Sequence, residues 1–234
     1  MEINKSLIIP CKNEEDGIAK IIQDFSNAIS DDTEILIVVD DENDPTLKSI
    51  PEKIKNLKIC INNLGKGPAY AIKYGINNSK GSAICVAMGD GSDDPRQVEE
   101  LFALINRGVS VAVATRYSKG GQYVGNSTVK YLLSRLAGLV LYYIFFIRTK
   151  DPTNMFKAYS KGFLDRVNIE STNGFTLGLE MIIKAKLQKE KIAEIPTIWI
   201  DRTHGETKFT IAKFLPSYLY WVFRLIIRRG SSRV

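Results

Sequence analysis

The chain repeats one pattern, in which a short apolar run ends abruptly in polar residues and an amphipathic stretch follows. Ser6–Ile9, Glu34–Val39 and Ala83–Met88 are three such runs. Short apolar runs bounded by turn residues are typical of buried strands, and the apolar spacing from Ile18 to Phe25 predicts a helix between the first two. A strand–helix–strand crossover brings the polar ends of both strands to one edge of a parallel sheet. Ligands of open parallel sheets bind beyond that edge.

Further runs of the same kind extend this pattern along the chain. They predict strands over Leu57–Ile61, Val109–Ala114, Phe156–Tyr159 and Ala193–Ile200, separated by helices over residues 69–76, 97–105, 130–147, 161–168 and 176–188. The sequence therefore predicts an α/β fold, a mainly parallel Rossmann-like sheet flanked by helices. No G-x-G-x-x-G follows any predicted strand, which disfavours a dinucleotide-binding oxidoreductase.

The length of 234 residues and the apolar fraction of 44% favour one large domain, over residues 1–212. We predict a C-terminal amphipathic helix over residues 213–234. Phe214–Ile227 is apolar and aromatic, and basic residues lie inside it and after it. Such a helix lies in a membrane interface or packs on its own domain. The apolar stretch Leu136–Ile147 is shorter than the roughly 20 residues of a spanning helix, and is either buried or interfacial.

The charge balance points to an anionic partner and away from nucleic acid. The formal net charge is +6, and the basic residues concentrate near the C-terminus. A basic, aromatic end suits phosphate-bearing lipid, and no nucleic-acid-binding motif accompanies it. We therefore expect peripheral contact with a membrane.

The cysteines and the N-terminus predict a cytoplasmic protein. Cys11, Cys60 and Cys85 lie in apolar or strand-like surroundings without metal-ligand spacing, and are interpreted as reduced, buried side chains. The N-terminal apolar run is too short for a signal peptide. Together with the basic end, this predicts a location at the inner face of the membrane.

The polar turn after Ala83–Met88 carries the strongest chemical signal. Asp90, Asp93 and Asp94 place three carboxylates within five residues. Their mutual repulsion is relieved by a cation, or by positive groups that carry a phosphate ligand such as a nucleotide diphosphate. The alternative is a plain strand-to-helix loop, with Asp94 as the helix N-cap before Pro95.

Several motifs, in order, resemble the inverting family 2 glycosyltransferases of GT-A fold, and most closely the polyprenyl- and dolichyl-phosphate sugar synthases. Ile9–Glu14 resembles P-A-Y-N-E, Val39–Asp41 matches V-D-D, and Asn63–Gly67 matches N-x-G-K-G. The resemblance implies that residues 1–212 form a catalytic domain. It also implies a set of residues that bind the donor nucleotide: Pro10, Lys12, Asn13, Glu14, Asp40, Asp41, Lys66 and Asp90.

The acidic turn departs from the D-x-D-x-Q-x-P of the lipid-phosphate branch. Aligned through Pro95, the two acids of that motif fall on Gly89 and Gly91, and its Gln falls on Asp93. A shift by one residue restores only the second acid, as Asp90. We therefore expect Asp90 and Asp93 to substitute as ligands of Mg²⁺ or Mn²⁺, with oxygens of the donor diphosphate completing the site.

The later motifs imply an acceptor site and further donor contacts. Thr115–Gly121 resembles S-R-Y-x-x-G-G, which implies that Arg116 faces the acceptor phosphate, and Lys130 and Ser134 fall beside the same phosphate. Asp151–Lys157 resembles D-x-T-S-G-F-R, and residues 202–208 resemble R-x-x-G-x-S-K, whose Arg and Lys contact the donor diphosphate. The implied catalytic residues are Asp90, Asp93, Arg116, Arg202 and Lys208.

The resemblance implies transfer of a hexose, with inversion, from GDP-mannose or a UDP-sugar to a polyprenyl or dolichyl phosphate. An acceptor phosphate is already ionised and needs no general base, whereas a sugar hydroxyl would need one, from Asp93, Asp94 or Asp151. Two alternatives stay open: a glycan-directed family 2 enzyme of cell-surface polysaccharide synthesis, and a non-catalytic nucleotide-sugar binding protein. A homodimer or a membrane-protein partner is also compatible with the apolar helices.

Overall fold

A computed structural model describes residues 2–14, 17–125, 128–201 and 211–231. The strands in chain order are β1 (Lys5–Pro10), β2 (Thr33–Val39), β3 (Leu57–Ile61), β4 (Ala83–Val86), β5 (Val111–Thr115), β6 (Gln122–Val124), β7 (Lys157–Ser160), β8 (Ile192–Pro196) and β9 (Ile198–Ile200). The helices are α1 (Ile18–Ala28), α2 (Pro68–Asn78), α3 (Gln97–Asn106), α4 (Thr128–Phe145), α5 (Lys161–Leu164), α6 (Gly174–Leu187) and α7 (Ile211–Ser231). A short 3-10 helix covers Pro45–Ser49.

Within the described residues, seven strands form one sheet in the order β3-β2-β1-β4-β7-β5-β8. Every neighbouring pair is parallel except the two pairs that involve β7. The predicted α/β class and mainly parallel sheet are thus confirmed. The polar segments after β1, β2, β4 and β5 meet at one edge of the sheet, because the carboxyl ends of parallel strands share an edge.

The antiparallel strand β7 brings its first residue to that same edge. Lys157 pairs with Val86, the last residue of β4, and with Val113 of β5. An antiparallel strand starts where its parallel neighbours end, so the loop before β7 lies beside the carboxyl ends of β4 and β5. This loop carries Asp151, and its position follows from strand direction, which the sequence pattern had not predicted.

The predicted strand Ala193–Ile200 is in fact two strands in two sheets. β8 pairs with β5 as far as Pro196, and β9 pairs with β6 in a separate two-stranded sheet. The break falls at Thr197, whose amide donates to Thr115 O (2.9 Å) and whose carbonyl accepts from Gln122 N (2.9 Å). Proline offers no amide hydrogen to extend a ladder. The break carries Trp199 to the end of β5.

Two apolar clusters cover the two faces of the sheet. Helices α1 and α3 supply one cluster, and α2, α6 and α7 supply the other. From α7, Trp221 and Leu225 are buried at 3% and 1% exposure, so this helix packs on its own domain along one side. All three cysteines are buried, as predicted. The domain division at residue 212 stays a prediction.

Helices α4 and α7 also expose large apolar side chains. Those of α4 and the residue following it are Leu132, Leu133, Leu136, Val140, Tyr143, Ile144 and Phe146. Those of α7 are Leu215, Leu219, Tyr220, Phe223, Ile226 and Ile227. Among the described residues, no helix combines the length and apolarity required to cross a membrane.

Candidate functional site

On the donor side, Asp40 joins the ends of two neighbouring strands. Its Oδ1 accepts from Asn62 Nδ2 (2.8 Å) after β3, and its Oδ2 accepts from Gly67 N (2.6 Å) at the start of α2. Asn62 Nδ2 also donates to Gly65 O at 2.6 Å. Asp40 is therefore tied to the loop before α2, on which the exposed Lys66 lies, whereas Asp41, also predicted to bind the nucleotide, accepts from Asn43 N at 2.9 Å.

The segment after β1 runs beside the 3-10 helix. Asn13 N donates to both carboxylate oxygens of Asp44 (3.1 and 3.3 Å), and Glu14 N donates to Thr46 Oγ1 (2.9 Å). Asn13 takes a left-handed backbone with φ of 55°. Lys12 and Asn13 are exposed. Asp44 was not predicted to belong to this region. Its position shortly after the V-D-D motif is the sequence feature that could have indicated it.

Asp90 lies half-buried at the end of β4, within a turn that it stabilises. Its Oδ1 accepts from Ser92 N (3.1 Å) and Ser92 Oγ (2.6 Å). Ser92 O accepts from Ile200 N at 3.4 Å, so the end of β9 lies against the acidic turn. Arg202 follows β9 by two positions but, like Lys208, lies outside the described residues. Their diphosphate contacts stay predictions.

The departure from D-x-D has a local steric basis. A Cβ atom at Gly89 would lie 2.9 Å from Cys11 Sγ and 3.4 Å from Ile18 Cδ1. Gly91 has a left-handed backbone with φ of 75°, which strains any other residue. The positions of both acids in the ungapped alignment are therefore suited to glycine, and Asp90 between them is the acid that this turn accommodates.

Asp93 is buried, with 6% exposure, and its Oδ2 accepts from Met88 N at 2.9 Å. Burial raises the pKa of Asp93 to about 7, and the charge of Asp90 adds to this. The predicted N-cap role of Asp94 is not seen, because Arg96 occupies the N-cap position of α3. Asp94 instead closes the preceding turn by accepting from Arg96 N at 3.0 Å.

The described side chains of the acidic turn fit a divalent cation through one carboxylate, that of Asp90. Asp90 is half-buried and offers the hard oxygen that Mg²⁺ or Mn²⁺ prefers. In the part of the chain that the structure describes, no group of three or more His, Cys, Asp or Glu side chains is placed to hold a metal. The fit therefore depends on oxygens from a bound diphosphate, and Asp93 as a second ligand stays a prediction.

On the side predicted to bind the acceptor, Arg116 follows β5 and is held by Asp151. Its Nε donates to Asp151 Oδ2 (2.7 Å) and its Nη2 donates to Asp151 Oδ1 (2.8 Å), while its backbone amide also donates to Oδ2 (3.0 Å). Burial raises the pKa of Asp151, but the charge and hydrogen bonds of Arg116 outweigh it, and the pKa falls below its ordinary value. The pair fixes one edge of the guanidinium.

Aromatic rings surround this guanidinium. Arg116 stacks over the rings of Tyr117 (5.1 Å) and Trp199 (5.6 Å). Tyr123 stacks on Trp199 with centroids 5.0 Å apart, and Tyr131 of α4 contacts Tyr123 and Tyr117. These rings come from β6, β9 and α4, so their meeting depends on the tertiary fold.

Ser134 of α4 lies beside Tyr117, and its predicted contact with an acceptor phosphate stays a prediction. Its hydroxyl makes a hydrogen bond with Tyr117 OH. Lys130 lies in the first turn of the same helix, and the role of its side chain stays a prediction. Burial raises the pKa of Tyr218 of α7 to about 12, and the charge of Arg116 partly offsets this. Helix α4 therefore contacts Tyr117 beside Arg116, and α7 lies within the electrostatic range of Arg116.

Comparison with known proteins identifies the family. The family model described as "Glycosyl transferase family 2" matches residues 6–167. The chain belongs to this family. The predicted resemblance is thereby confirmed, and the matched region contains the donor loops, the acidic turn and Arg116.

Curated relatives of this glycosyltransferase include two enzymes of lipid-phosphate sugar synthesis. A dolichol-phosphate mannosyltransferase from Pyrococcus furiosus is 29% identical over 97% of this chain and 64% of its own length. A polyprenol monophosphomannose synthase from Mycolicibacterium smegmatis is 22% identical over 87% of this chain and 80% of its own length. The chain thus spans less than two thirds of the Pyrococcus relative.

Solved structures confirm the fold. Glucosyl-3-phosphoglycerate synthase from Mycobacterium tuberculosis, in complex with Mn²⁺, UDP and glucosyl-3-phosphoglycerate, superposes with a TM-score of 0.69 at 15% identity. It covers 97% of this chain, which spans 80% of that protein. The same enzyme with Mn²⁺, UDP-glucose and glycerol 3-phosphate gives a TM-score of 0.71. At this identity the likeness supports the GT-A fold alone.

Proposed function

We propose that this family 2 glycosyltransferase moves a hexose from a nucleotide-diphosphate sugar, GDP-mannose or a UDP-sugar, to a polyprenyl phosphate, with inversion at the anomeric carbon. The observation that carries the proposal is a fixed guanidinium beside two helices with exposed apolar faces. Arg116 is paired with Asp151, Ser134 of α4 makes a hydrogen bond with the neighbouring Tyr117, and the charge of Arg116 acts on Tyr218 of α7. An acceptor with an anionic head and an apolar tail matches both features.

The acceptor side supplies position rather than proton transfer. A phosphate monoester is ionised near neutral pH, so it attacks without a general base once it is held in line. Asp151 occupies one edge of the Arg116 guanidinium, and a guanidinium has five N–H donors, so others remain for a phosphate oxygen. Lys130 and Ser134 complete this side of the proposed site.

The donor side must hold the nucleotide and accept the charge that develops on the leaving diphosphate. In this proposal Asp40 orders the loop that carries Lys66, while Pro10–Glu14 and Asp41 border the nucleotide. Asp90, with oxygens of the diphosphate, would hold a divalent cation, which would supply electrostatic stabilisation of the leaving group. Arg202 and Lys208 are proposed to add positive charge to the same diphosphate.

A donor screen with labelled GDP- and UDP-sugars, Mn²⁺ or Mg²⁺, and polyprenyl phosphate tests the proposal. We expect labelled sugar in a lipid-extractable product identified by mass spectrometry, with the opposite anomeric configuration from the donor by NMR. Label in water-soluble glycans alone would contradict a lipid acceptor and favour the glycan-directed alternative. Nucleotide binding without turnover on any acceptor would favour the non-catalytic binding protein.

Arg116→Lys is expected to lower kcat/KM for polyprenyl phosphate by roughly 10²–10³-fold. An ammonium cannot engage Asp151 through two parallel hydrogen bonds while it also faces a phosphate. The measurement is steady-state kinetics with the acceptor varied. Arg166→Lys is the matched control, since Arg166 is not among the predicted site residues, its side chain is exposed and it pairs with Glu190 at 2.7 Å. Equal kinetics in the two variants would remove Arg116 from the acceptor site.

We further propose that the exposed apolar faces of α4 and α7 contact the inner face of the membrane. The double substitution Leu219→Ser/Phe223→Ser is expected to weaken binding to phosphatidylglycerol-containing vesicles by roughly a hundredfold, since each side chain loses apolar burial. Flotation measures this binding. Leu219 and Phe223 are 58% and 59% exposed on α7.

The control removes two exposed apolar residues elsewhere on the surface. Ile59→Ser/Ile61→Ser on the edge strand β3 changes side chains that are 46% and 40% exposed, and is expected to leave vesicle binding unchanged. Equal losses in both double variants would contradict specific contact. A wild-type dimer by light scattering that the α7 substitutions dissociate would assign these faces to a homodimer instead.

A further inference from the structure

Lys157 is a fully buried cation at the first position of β7. Its side chain is 0% exposed, and its Nζ donates to Pro152 O at 3.2 Å. A buried ammonium is costly unless charged partners compensate it. The family resemblance of the segment assigns no function to this position, and the proposed reaction has not used it.

Three other ionisable groups act on this side chain through their charges. The carboxylates of Asp151 and Asp93 attract it, and the guanidinium of Arg116 repels it. Asp151 is 0% exposed, Asp93 6%, and the side chain of Arg116 11%. We call Asp93, Arg116, Asp151 and Lys157 the buried charge cluster. It contains two acids and two bases, and the charges of both bases act on each acid.

The buried charge cluster connects the two halves of the site. On the donor side, Asp93 closes the acidic turn through its hydrogen bond from Met88 N. On the acceptor side, Asp151 holds Arg116 by three hydrogen bonds. The charges of both acids act on Lys157. Its Nζ also donates a hydrogen bond to the carbonyl of Pro152, the residue that follows Asp151.

The turn between Asp151 and Lys157 is otherwise tightly held. Asn154 Nδ2 donates to Ala114 O at 2.7 Å, and a Cβ atom at Gly178 of α6 would lie 3.0 Å from Asn154 O. These contacts fix the middle of the turn. At the start of the turn, the carbonyl of Pro152 is held by the hydrogen bond from Lys157 Nζ.

We propose that Lys157 is a positioning residue: through Pro152 and Asp151 it sets the orientation of Arg116 relative to the acidic turn, and so aligns the acceptor phosphate with the donor. This inference rests on the proposed function. The ammonium touches neither substrate and acts through its neighbours. Misplacing a reacting group by about 1 Å costs on the order of 10²-fold in rate.

Lys157→Met tests the proposal, because methionine keeps an unbranched chain and removes the charge. We expect the KM for polyprenyl phosphate to rise and kcat/KM to fall on the order of 10²-fold. Binding of UDP or GDP, measured by calorimetry, is expected to stay unchanged. A purely structural role would lower the melting temperature and the active fraction, and hence kcat, with the acceptor KM unchanged. That result would overturn the proposal.

Two further variants control for folding. Lys161→Met removes an exposed lysine near the other end of β7, paired with Asp165 at 3.4 Å, and should leave both KM values unchanged. Should Lys157→Met fail to fold, Asp93→Asn/Lys157→Met removes one acid and one base together and is compared with Asp93→Asn. A higher acceptor KM in the double variant supports the proposal, and an equal KM overturns it.

Failure of the underlying function is recognised separately. Wild-type enzyme would then give no lipid product with any donor, which removes the basis of both proposals. A wild type that glycosylates polyprenyl phosphate, combined with a Lys157→Met variant of unchanged acceptor KM, overturns the positioning role alone.

Discussion

Asp151→Asn is expected to lower the free energy of unfolding by about 3–5 kcal/mol, because it leaves the Arg116 guanidinium buried without its counter-ion. Asp151 is fully buried and accepts three hydrogen bonds from Arg116. Acceptor turnover is expected to fall as well, since the guanidinium loses its fixed orientation. Denaturant unfolding at neutral pH measures the first effect, and kinetics with polyprenyl phosphate measures the second.

This loss has a predicted pH dependence. The folded-state pKa of Asp151 lies below the unfolded value of about 3.9, so the pair stabilises the fold above that pH. Its contribution is lost as the pH falls through the folded pKa. The difference between wild type and Asp151→Asn should therefore shrink below about pH 4.

Asp165→Asn is the control for this prediction. Asp165 pairs with Lys161 at 3.4 Å on the surface, with its side chain 59% exposed, and such pairs contribute about 0–1 kcal/mol. A loss for Asp151→Asn no larger than that of the control would show that the buried pair does not stabilise the fold.

Gly89→Asp is expected to lower the free energy of unfolding by more than about 3 kcal/mol, although it restores the first acid of the family's D-x-D motif. The new Cβ would lie 2.9 Å from Cys11 Sγ, and overpacking of this kind costs about 1–3 kcal/mol. Burial of an unpaired carboxylate adds to this loss. Thermal unfolding measures the effect, and Gly89→Ala isolates its steric part.

A double-mutant cycle tests the steric cause. Cys11→Ala removes the sulfur atom, so Cys11→Ala/Gly89→Ala should be less destabilised than the sum of its single variants, by about 0.5–3 kcal/mol. Gly91→Ala is the control: its Cβ would lie 3.5 Å from Ile21 Cδ1 with no contact to Cys11, and its cost comes from the left-handed backbone. If the destabilisation caused by Cys11→Ala simply added to that of Gly89→Ala, as it should add to that of Gly91→Ala, the result would contradict a contact between a Cβ atom at position 89 and Cys11.

Most strands and helices could be predicted because their signals are local. The fully buried residues of β1, β2 and β4 form continuous apolar runs, and turn residues mark their ends. The same signals predicted β7 but not its direction, and they joined β8 to β9. Direction and pairing depend on partners far along the chain, so a local pattern carries no information on them.

The donor loops could be predicted in the same way. Asp40, the loop with Lys66, and Asp90 each follow a strand directly, and parallel strands bring their ends together. The resemblance added roles to these residues. It placed acids at the end of β4 without showing that Cys11 fills the space beside Gly89.

Partners of buried charges needed the folded chain. Arg116 and Asp151 are 35 residues apart, and Lys157 reaches them from an antiparallel strand. From composition alone, Lys157 is one more basic residue in a basic protein. Its burial, and its place between Asp93 and Asp151, follow from where β7 enters the sheet.

Residues close in the chain were thus sufficient to predict the α/β class and the loops at the carboxyl edge, since periodicity and turn chemistry act over a few positions. The family was predicted from the resemblance of short motifs. Only the packing of the folded chain showed three features: the ionic pairing beneath the site, the aromatic rings around Arg116, and the apolar faces left exposed on α4 and α7. Burial and charge pairing are set by contacts between distant segments, and those contacts exist only once the sheet has assembled.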